Sequence, residues 1–243
     1  MIKIGINTYS LGFIKDVEAR LKKAAELGFE AIEFRPDDLG LSGKLESVKA
    51  DAQKARDTLR KCGIAPCDVA CDADFVQPEK GKFDHWVYWG EYCAALSKEL
   101  ARIAEKYGQV FAEENHGRFT NRPEVQLQLI KAVGSKRIGV CIDSSNYRWF
   151  GHPVADVHRF FKQMAPCTFH THVKDGNGSA GPMAGYKATA LGEGEIDIKL
   201  LLTELKNAGY KGDLVLEYEG SEGVEGVKRS LAFLKKTKKE VFG

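Results

Sequence analysis

Short apolar segments alternate with longer amphipathic segments along the whole chain. The longer segments have the three- and four-residue spacing of apolar positions that is typical of helices, and two of them end at Gly28 and Gly63, residues suited to closing a helix. Repeated strand-then-helix units predict a mostly parallel sheet with helices packed outside it. The sequence therefore predicts an α/β fold.

Seven strand-then-helix units are recognisable, and no linker-like segment separates them. Because eight units in ~250 residues form a complete TIM barrel, we expect one barrel-like domain over residues 1–243 that is about one unit short. The missing strand is expected between residues 70 and 109, where continuous helical spacing is found instead; a short strand within HWVYW (85–89) is the alternative. The strands are predicted at 2–7, 29–34, 64–70, 109–115, 137–143, 167–173 and 213–219, and the helices at 16–27, 45–61, 83–107, from about 122, and at 155–164, 198–208 and 224–236.

The composition narrows the class of protein. Of 243 residues, 43% are hydrophobic and 29% charged, as in soluble globular proteins. No apolar run approaches the ~18 residues of a membrane span, and no secretion signal is recognised, so we expect a cytoplasmic protein. With a net charge of +2 and one basic run, at 235–240, that is typical of a last helical turn, no nucleic-acid partner is expected. The six cysteines form no C-x-x-C pair, which favours free thiols over a structural zinc site.

Four polar residues stand at or near the ends of four late strands: Glu114, Asp143, His172 and Glu217. They are separated by 29, 29 and 45 residues, and the first two separations each equal one strand-then-helix unit. Because the carboxyl ends of parallel barrel strands form one rim, where sites are built, we expect these side chains to be neighbours. Any one of them alone is more often a helix cap or a surface ion-pair partner.

The chemistry of this set favours a metal ion. Three carboxylates gathered in one cleft repel each other and raise each other's pKa values. A divalent cation removes that repulsion, and His172 adds a nitrogen ligand. The mixed oxygen and nitrogen set suits Mn²⁺, Mg²⁺, Co²⁺ or Zn²⁺ and does not choose among them.

Seven motifs in order resemble the xylose isomerase-like TIM barrel superfamily, which includes sugar isomerases and epimerases and endonuclease IV. The resemblance covers nearly the whole chain and is most specific from Glu113 onward. It implies one metal ion bound by Glu114, Asp143, His172 and Glu217. The motifs are GINTYS (5–10), FEAIEF (29–34), AEENHG (112–117), VCIDSSN (140–146), HTHVKDG (170–176), LGEGEID (191–197) and LVLEYEG (214–220).

For the isomerases and epimerases, the resemblance implies proton transfer on a small ketose or polyol-derived ketone. The metal polarises the carbonyl, and Glu114 and Glu217 are implied as the catalytic pair that removes and returns the proton through an enediolate. A dehydratase of an inosose-like cyclic ketone is the alternative that uses the same proton abstraction. A phosphodiesterase like endonuclease IV is disfavoured, because its three-zinc site needs a histidine where this chain has Asn146.

Five further residues are candidate substrate contacts, each with a structural alternative such as an ion pair or a packed strand end. His170 is either an alternative ligand or a packed neighbour of His172, and Trp149 with Phe150 is either an apolar wall over a sugar or ordinary loop packing. Asp68, Asp72 and Asp74 are either part of the site or, as we favour, a solvated turn. The five candidates are His116, Lys174, Glu33, Asn7 and Asn146.

The apparent gap between residues 70 and 109 is the main departure from the superfamily. A missing strand removes one wall of the substrate pocket, so a catalytically impaired barrel, or one with only a binding or structural role, is a further alternative. All four expected ligands follow the gap in the sequence, so we expect the metal site to be formed despite it. A homo-oligomer could cover the open edge, because exposed strand edges tend to find partners.

Overall fold

The computed structural model describes residues 1–41, 45–70, 86–117, 119–178 and 185–243. The strands are β1 (Ile4–Asn7), β2 (Ala31–Phe34), β3 (Ala65–Val69), β4 (Phe111–Glu114), β5 (Ile138–Asp143), β6 (Thr168–Val173), β7 (Asp175–Asn177), β8 (Lys187–Thr189) and β9 (Leu214–Leu216). The helices are α1 (Val17–Leu27), α2 (Val48–Cys62), α3 (Trp86–Tyr107), α4 (Pro123–Val133), α5 (Asn146–Phe150), α6 (Val154–Met164), α7 (Ile198–Asn207) and α8 (Gly223–Phe242).

Seven strands form one parallel sheet in the order β3-β2-β1-β9-β6-β5-β4. The first and last strands of the chain's barrel series, β1 and β9, are neighbours, so the sheet curls as in a TIM barrel. The curl stays open between β3 and β4, which are not paired with each other within the described residues. The predicted TIM-barrel-like fold is confirmed.

The opening lies where the sequence places the missing unit. Among the described residues, no strand occurs between β3 and β4, and α3 is continuous from Trp86 to Tyr107. The alternative of a strand within HWVYW is therefore wrong for residues 86–89, whose apolar positions follow helical spacing. The expected solvated turn is wrong for Asp68, which lies within β3 because that strand continues to Val69. Residues 71–85 lie outside the described part of the chain, and with them Asp72, Asp74 and the start of the predicted 83–107 helix.

The helices form because their apolar residues fall on one stripe. In α7, Ile198, Leu201, Leu202 and Leu205 repeat at three- and four-residue steps, and all four are buried against the sheet. In α6, Val157, Phe160, Phe161 and Met164 follow the same pattern. Burial of each such side chain stabilises the fold by about 1.5–3 kcal/mol. The inner strands β1, β5 and β9 are buried on both faces, as expected for strands covered by helices.

Two details differ from the expected elements. The segment 175–186, expected to be an irregular glycine-rich loop, begins with β7, which pairs with β8 as a two-stranded antiparallel ribbon. Helix α8 continues six residues beyond the predicted end, to Phe242.

No helix among the described residues is both long enough and apolar enough to span a bilayer. Cys62, Cys67, Cys93, Cys141 and Cys167 are free thiols.

Candidate metal centre

The strand register brings the candidate side chains to one rim. Asn7 on β1 pairs with Glu33 on β2, and Asp143 on β5 pairs with His172 on β6. Glu114 is the last residue of β4, and Glu217 directly follows β9. Parallel pairing therefore places the ends of six strands on the same side of the sheet.

Glu114, Asp143, His172 and Glu217 converge at this rim. One potential ligand atom from each of the four lies within 4.8 Å of the corresponding atoms of the others. Asp143 and His172 are buried, and Glu114 and Glu217 are half-buried. The four side chains that the sequence analysis expected to be neighbours are therefore brought together.

The hydrogen bonds of His172 show why a cation fits between them. Its Nε2 lies 2.9 Å from Glu33 Oε2, and because a carboxylate only accepts, this nitrogen carries the proton. Its Nδ1 lies 3.0 Å from Glu114 Oε1 and 3.5 Å from Glu217 Oε2, which are also acceptors. A neutral imidazole has one N–H, so the Nδ1 lone pair faces two carboxylates and requires a second proton or a metal ion.

The pKa of His172 reflects this surplus of acceptors. Burial lowers it, but the acidic groups around the ring, Cys141, Glu33, Glu114 and Glu217, outweigh burial and hold the pKa well above its ordinary value. Without a metal, a second proton thus balances the carboxylates at the rim. A bound divalent ion would replace that proton at Nδ1.

Two buried oxygens at the rim have no hydrogen-bond partner among the described residues. These are Asp143 Oδ2 and Glu217 Oε2. The other oxygen of Asp143 accepts the backbone N–H groups of Ser145, at 2.7 Å, and Asn146, at 2.9 Å, which fixes the carboxylate. Buried oxygens without partners are costly, and a metal ion would satisfy both. The donor set thus fits a divalent ion.

Burial raises the pKa of Asp143 to about 6, with Lys174 acting against burial and Glu217 adding to it. The Lys174 ammonium lies 3.5 Å from Asp143 Oδ2, 3.5 Å from Glu217 Oε2 and 2.8 Å from Glu219 Oε2. Burial lowers the pKa of Lys174, but these three carboxylates hold it well above its ordinary value. Lys174 is therefore a permanent positive charge beside the four converging side chains.

Glu33 and Asn7 lie beside the four converging side chains rather than in open solvent. The Glu33 side chain is 2% exposed, and its Oε2 accepts His170 Nε2 at 2.7 Å as well as His172 Nε2. Burial raises the pKa of Glu33, but His172 and His170 outweigh it and keep the carboxyl below its usual range. The Asn7 amide donates to Glu33 Oε1 and to Glu217 Oε1, each at 3.3 Å. A carboxylate behind a ligating histidine fixes the tautomer and ring orientation.

Asn146 and His116 differ in how closely they approach the four side chains. The Asn146 amide donates to Glu114 Oε1 at 3.1 Å, and its oxygen accepts Lys174 Nζ at 3.3 Å. His116 is exposed and stacks on Trp149, with ring centroids 5.7 Å apart. The His116–Trp149 pair therefore forms an aromatic surface beside Glu114, on the open side of the rim.

Several residues that support the rim were not singled out from the sequence. Asn115 donates to the Asp143 carbonyl at 3.0 Å and accepts the Asp143 N–H at 2.7 Å, which ties the end of β4 to the end of β5. The Asp175 carboxylate accepts backbone N–H groups of Gly192, Gly194 and Ile196, at 2.9–3.1 Å. A Cβ at Gly194 would overlap Asp175, so this glycine is required. The only sequence signal for these roles is the place of Asn115 in AEENHG, of Asp175 in HTHVKDG and of Gly194 in LGEGEID.

The sequence profile of the xylose isomerase-like TIM barrel family matches residues 77–237. An uncharacterized protein of Methanocaldococcus jannaschii is 29% identical over 123 residues, which are 49% of this chain and 40% of that protein. The rhizopine catabolism protein MocC of Rhizobium meliloti is 27% identical over 146 residues, which are 54% of this chain and 44% of that protein. The matched part thus spans less than half the length of these curated relatives.

Solved structures share the fold over almost the whole chain. A xylose isomerase domain protein from Alicyclobacillus acidocaldarius has a TM-score of 0.77 and 15% identity and covers 100% of both chains. An L-ribulose 3-epimerase has a TM-score of 0.74 and 17% identity, covering 99% of this chain and 96% of its own. A xylose isomerase-like TIM barrel protein from Mycobacterium smegmatis, in complex with magnesium, has a TM-score of 0.69 and 17% identity, covering 100% and 97%.

Proposed function

This chain belongs to the xylose isomerase-like TIM barrel family, and from that membership and the rim geometry we propose that it is a divalent-metal-dependent isomerase or epimerase of a small ketose or polyol-derived ketone. Glu114, Asp143, His172 and Glu217 would hold the ion. Mn²⁺, Mg²⁺, Co²⁺ and Zn²⁺ all suit the donor set.

The observation that supports this proposal most is the convergence of the four ligand atoms within 4.8 Å, with one buried oxygen each of Asp143 and Glu217 lacking a hydrogen-bond partner in the part of the chain that the structure describes. Lys174 forms an ion pair with each of these oxygens at 3.5 Å but donates a hydrogen bond to neither, so both keep room for a cation. Two structurally similar proteins, an L-ribulose 3-epimerase and a xylose isomerase-like protein in complex with magnesium, agree with sugar chemistry and with a divalent metal.

The bound ion would supply Lewis-acid polarisation of a substrate carbonyl. Glu114 and Glu217 come from strands β4 and β9, which lie at opposite ends of the arc β9-β6-β5-β4. A substrate carbon between the two carboxylates would give a proton to one of them and receive a proton from the other on its opposite face. Asn146 holds Glu114, and Asn7 with Lys174 holds Glu217, so both carboxylates stay aimed at the same point.

Lys174 would stabilise the negative charge that develops on the substrate oxygen. It is 5% exposed, and its charge is fixed by the neighbouring carboxylates. An ammonium placed in advance where charge develops needs no reorganisation during the reaction. The His116–Trp149 surface would lie against the apolar face of a sugar and keep water from it.

The test is hydrogen exchange. The chain would be stripped of metal, reloaded with Mn²⁺, and incubated in D₂O with a panel of ketoses, inososes and their phosphates. The proposal predicts deuterium at the carbon beside the carbonyl, followed by an isomeric or epimeric product in the NMR spectrum. Glu217→Gln is expected to lose exchange, whereas the exposed control Glu225→Gln keeps it. No exchange in any of these compounds with the loaded protein would support the catalytically impaired barrel instead.

Dehydration of a cyclic ketone is a second candidate, favoured by one observation. Lys174 places an ammonium 3.5 Å from Glu217 Oε2, so a base stands beside a positive charge that would stabilise a departing hydroxide. The same incubations separate the two reactions. Loss of water with an inosose, detected as a mass decrease, would favour the dehydratase, and a change of configuration without mass loss would favour the epimerase.

A further inference from the structure

A second group of ligand-type side chains lies beside the rim centre and is not used by the proposed reaction. Glu33 on β2, Asp68 on β3 and His170 on β6 each offer one ligand atom, and these atoms lie within 4.8 Å of one another. Asp143, Glu114 and Glu217 do not belong to this group. We refer to Glu33, Asp68 and His170 as the lumen triad.

A bulge in β3 is what brings Asp68 to this place. Ile32 pairs with Pro66, but the next residue of β2, Glu33, pairs with Asp68, so Cys67 is an additional residue in β3. Side chains alternate between the two faces of a strand, and without the additional residue Asp68 would share the face of Pro66 and Ile32. The bulge turns Asp68 to the face that carries Glu33.

Within the triad, the carboxylates of Glu33 and Asp68 both face one nitrogen, Nε2 of His170. His170 Nε2 lies 2.7 Å from Glu33 Oε2 and 3.7 Å from Asp68 Oδ2. The Asp68 carboxylate takes no hydrogen bond from any residue in the described part of the chain. Two carboxylates around one imidazole nitrogen form a mixed oxygen and nitrogen donor set of the kind that Zn²⁺ and Co²⁺ accept.

Two residues of the lumen triad are buried and one is accessible to solvent, as expected for a metal site with one open coordination position. The Glu33 and His170 side chains are 2% and 10% exposed, so two ligands are held in the interior, and the Asp68 side chain is 45% exposed. Three protein ligands and one solvent-accessible side suit tetrahedral zinc with a water as the fourth ligand. Solvent reaches this side because β3 is an edge strand of the open sheet.

We infer that the lumen triad is a second divalent metal site, for Zn²⁺ or a similar ion, that is distinct from the rim centre. Glu33 is shared, since it also accepts His172 Nε2 at 2.9 Å. Asp68 belongs to the triad alone, and its substitution is therefore the selective probe.

The test counts ions in the full-length protein. Chelator-stripped protein would be titrated with Zn²⁺ and with Co²⁺, and bound metal measured by plasma mass spectrometry and by the visible spectrum of Co²⁺. We expect about two ions per chain in the wild type, about one in Asp68→Asn, and about one in Glu114→Gln/Glu217→Gln. Asp37→Asn removes the same charge from an exposed position and is expected to keep two.

The inference is overturned if the wild type saturates with one ion, or if Asp68→Asn still binds two. Because Asp68 is half exposed, the variant is expected to fold, which far-ultraviolet circular dichroism checks. His170→Gln removes a different ligand of the triad and must lower the count in the same way. One further outcome would contradict the second site and leave the rim centre intact. In it, the wild type and Asp68→Asn each bind one ion per chain, and Glu114→Gln/Glu217→Gln binds none.

Discussion

The inner strands of the sheet, β2-β1-β9-β6-β5, form a closed arc, and β3 and β4 form the open edge. The two regions differ in how completely their strands are buried. Strands β1, β5 and β9 are buried along their whole length, whereas every residue of β4 is only partly buried and β3 has two exposed residues. Asp143, His172 and Glu217 stand on the closed arc, and Glu114 stands on the edge strand β4. The opening between β3 and β4 in the described sheet is thus a local feature, and three of the four proposed ligands lie away from it.

The largest expected effect is on stability, and it contrasts one apolar residue of the closed arc with one of the open edge. Ile142 on β5 is fully buried, and Ile142→Ala is expected to lower the free energy of unfolding by about 2–5 kcal/mol. Val69 on β3 is 46% exposed, and Val69→Ala is expected to cost less than about 1 kcal/mol. Urea unfolding followed by circular dichroism measures both. Equal costs would mean that β3 is as well packed as β5, against the comparison.

The second prediction concerns metal affinity on the closed arc. Asp143→Asn is expected to weaken Mn²⁺ binding at the rim by at least ~100-fold, because loss of a supporting residue alone costs ~10–100-fold and Asp143 is a proposed ligand. Isothermal titration measures the affinity. Asp156→Asn, a surface change on α6, is the matched control. An Asp143→Asn protein that binds Mn²⁺ as tightly as the control would remove Asp143 from the site.

A third prediction compares Glu33 on the closed side with His116 near the open edge. Glu33→Gln weakens the acceptor behind His172 and is expected to lower Mn²⁺ affinity at the rim by ~10–100-fold. His116→Ala removes an exposed ring that stacks on Trp149 and is expected to leave the affinity unchanged. Both are made in an Asp68→Asn background, so that titration reports the rim alone. The reverse ranking would argue against the positioning role of Glu33.

The smallest expected effect is a pH dependence of stability that arises at Glu113, on the edge strand β4. Burial raises the pKa of Glu113 on β4 to about 7, and its Oε2 has no hydrogen-bond partner among the described residues. Between the ordinary pKa of 4.5 and about 7, the folded state binds more protons than the unfolded state, so this group lowers stability as pH rises through that window. Glu113→Gln is expected to match the wild type near pH 4.5 and to exceed it above pH 7, by on the order of 1–2 kcal/mol. Urea unfolding at both pH values measures this; no difference above pH 7 would contradict it.

The sequence predicts the strands of the sheet and most of the rim well because their signals are local. Strand-then-helix spacing gives seven strands within a few residues of their observed ends, and the pitch of 29 residues places Glu114, Asp143 and His172 on one rim. The interruption of the strand-then-helix pattern after Ala70 is also predictable, since Trp86–Tyr107 has the spacing of one continuous helix.

The contacts across the barrel interior were not predictable from the sequence. Glu33 reaches His172 from β2 to β6, two strands that are not neighbours in the sheet, so no pairing rule connects them. The β3 bulge that turns Asp68 inward depends on pairing with β2 and leaves no mark in the sequence. The β7–β8 ribbon has three-residue strands within a glycine-rich segment, too short for alternation to be recognised.

The most direct test of the account is a crystal structure of the Mn²⁺-soaked protein with anomalous data at the manganese edge. The account predicts an anomalous peak at the rim, within ~2.0–2.5 Å of carboxylate oxygens of Glu114, Asp143 and Glu217 and of Nδ1 of His172. A saturated crystal with no peak there, or with the ion bound by a different set of side chains, would contradict it.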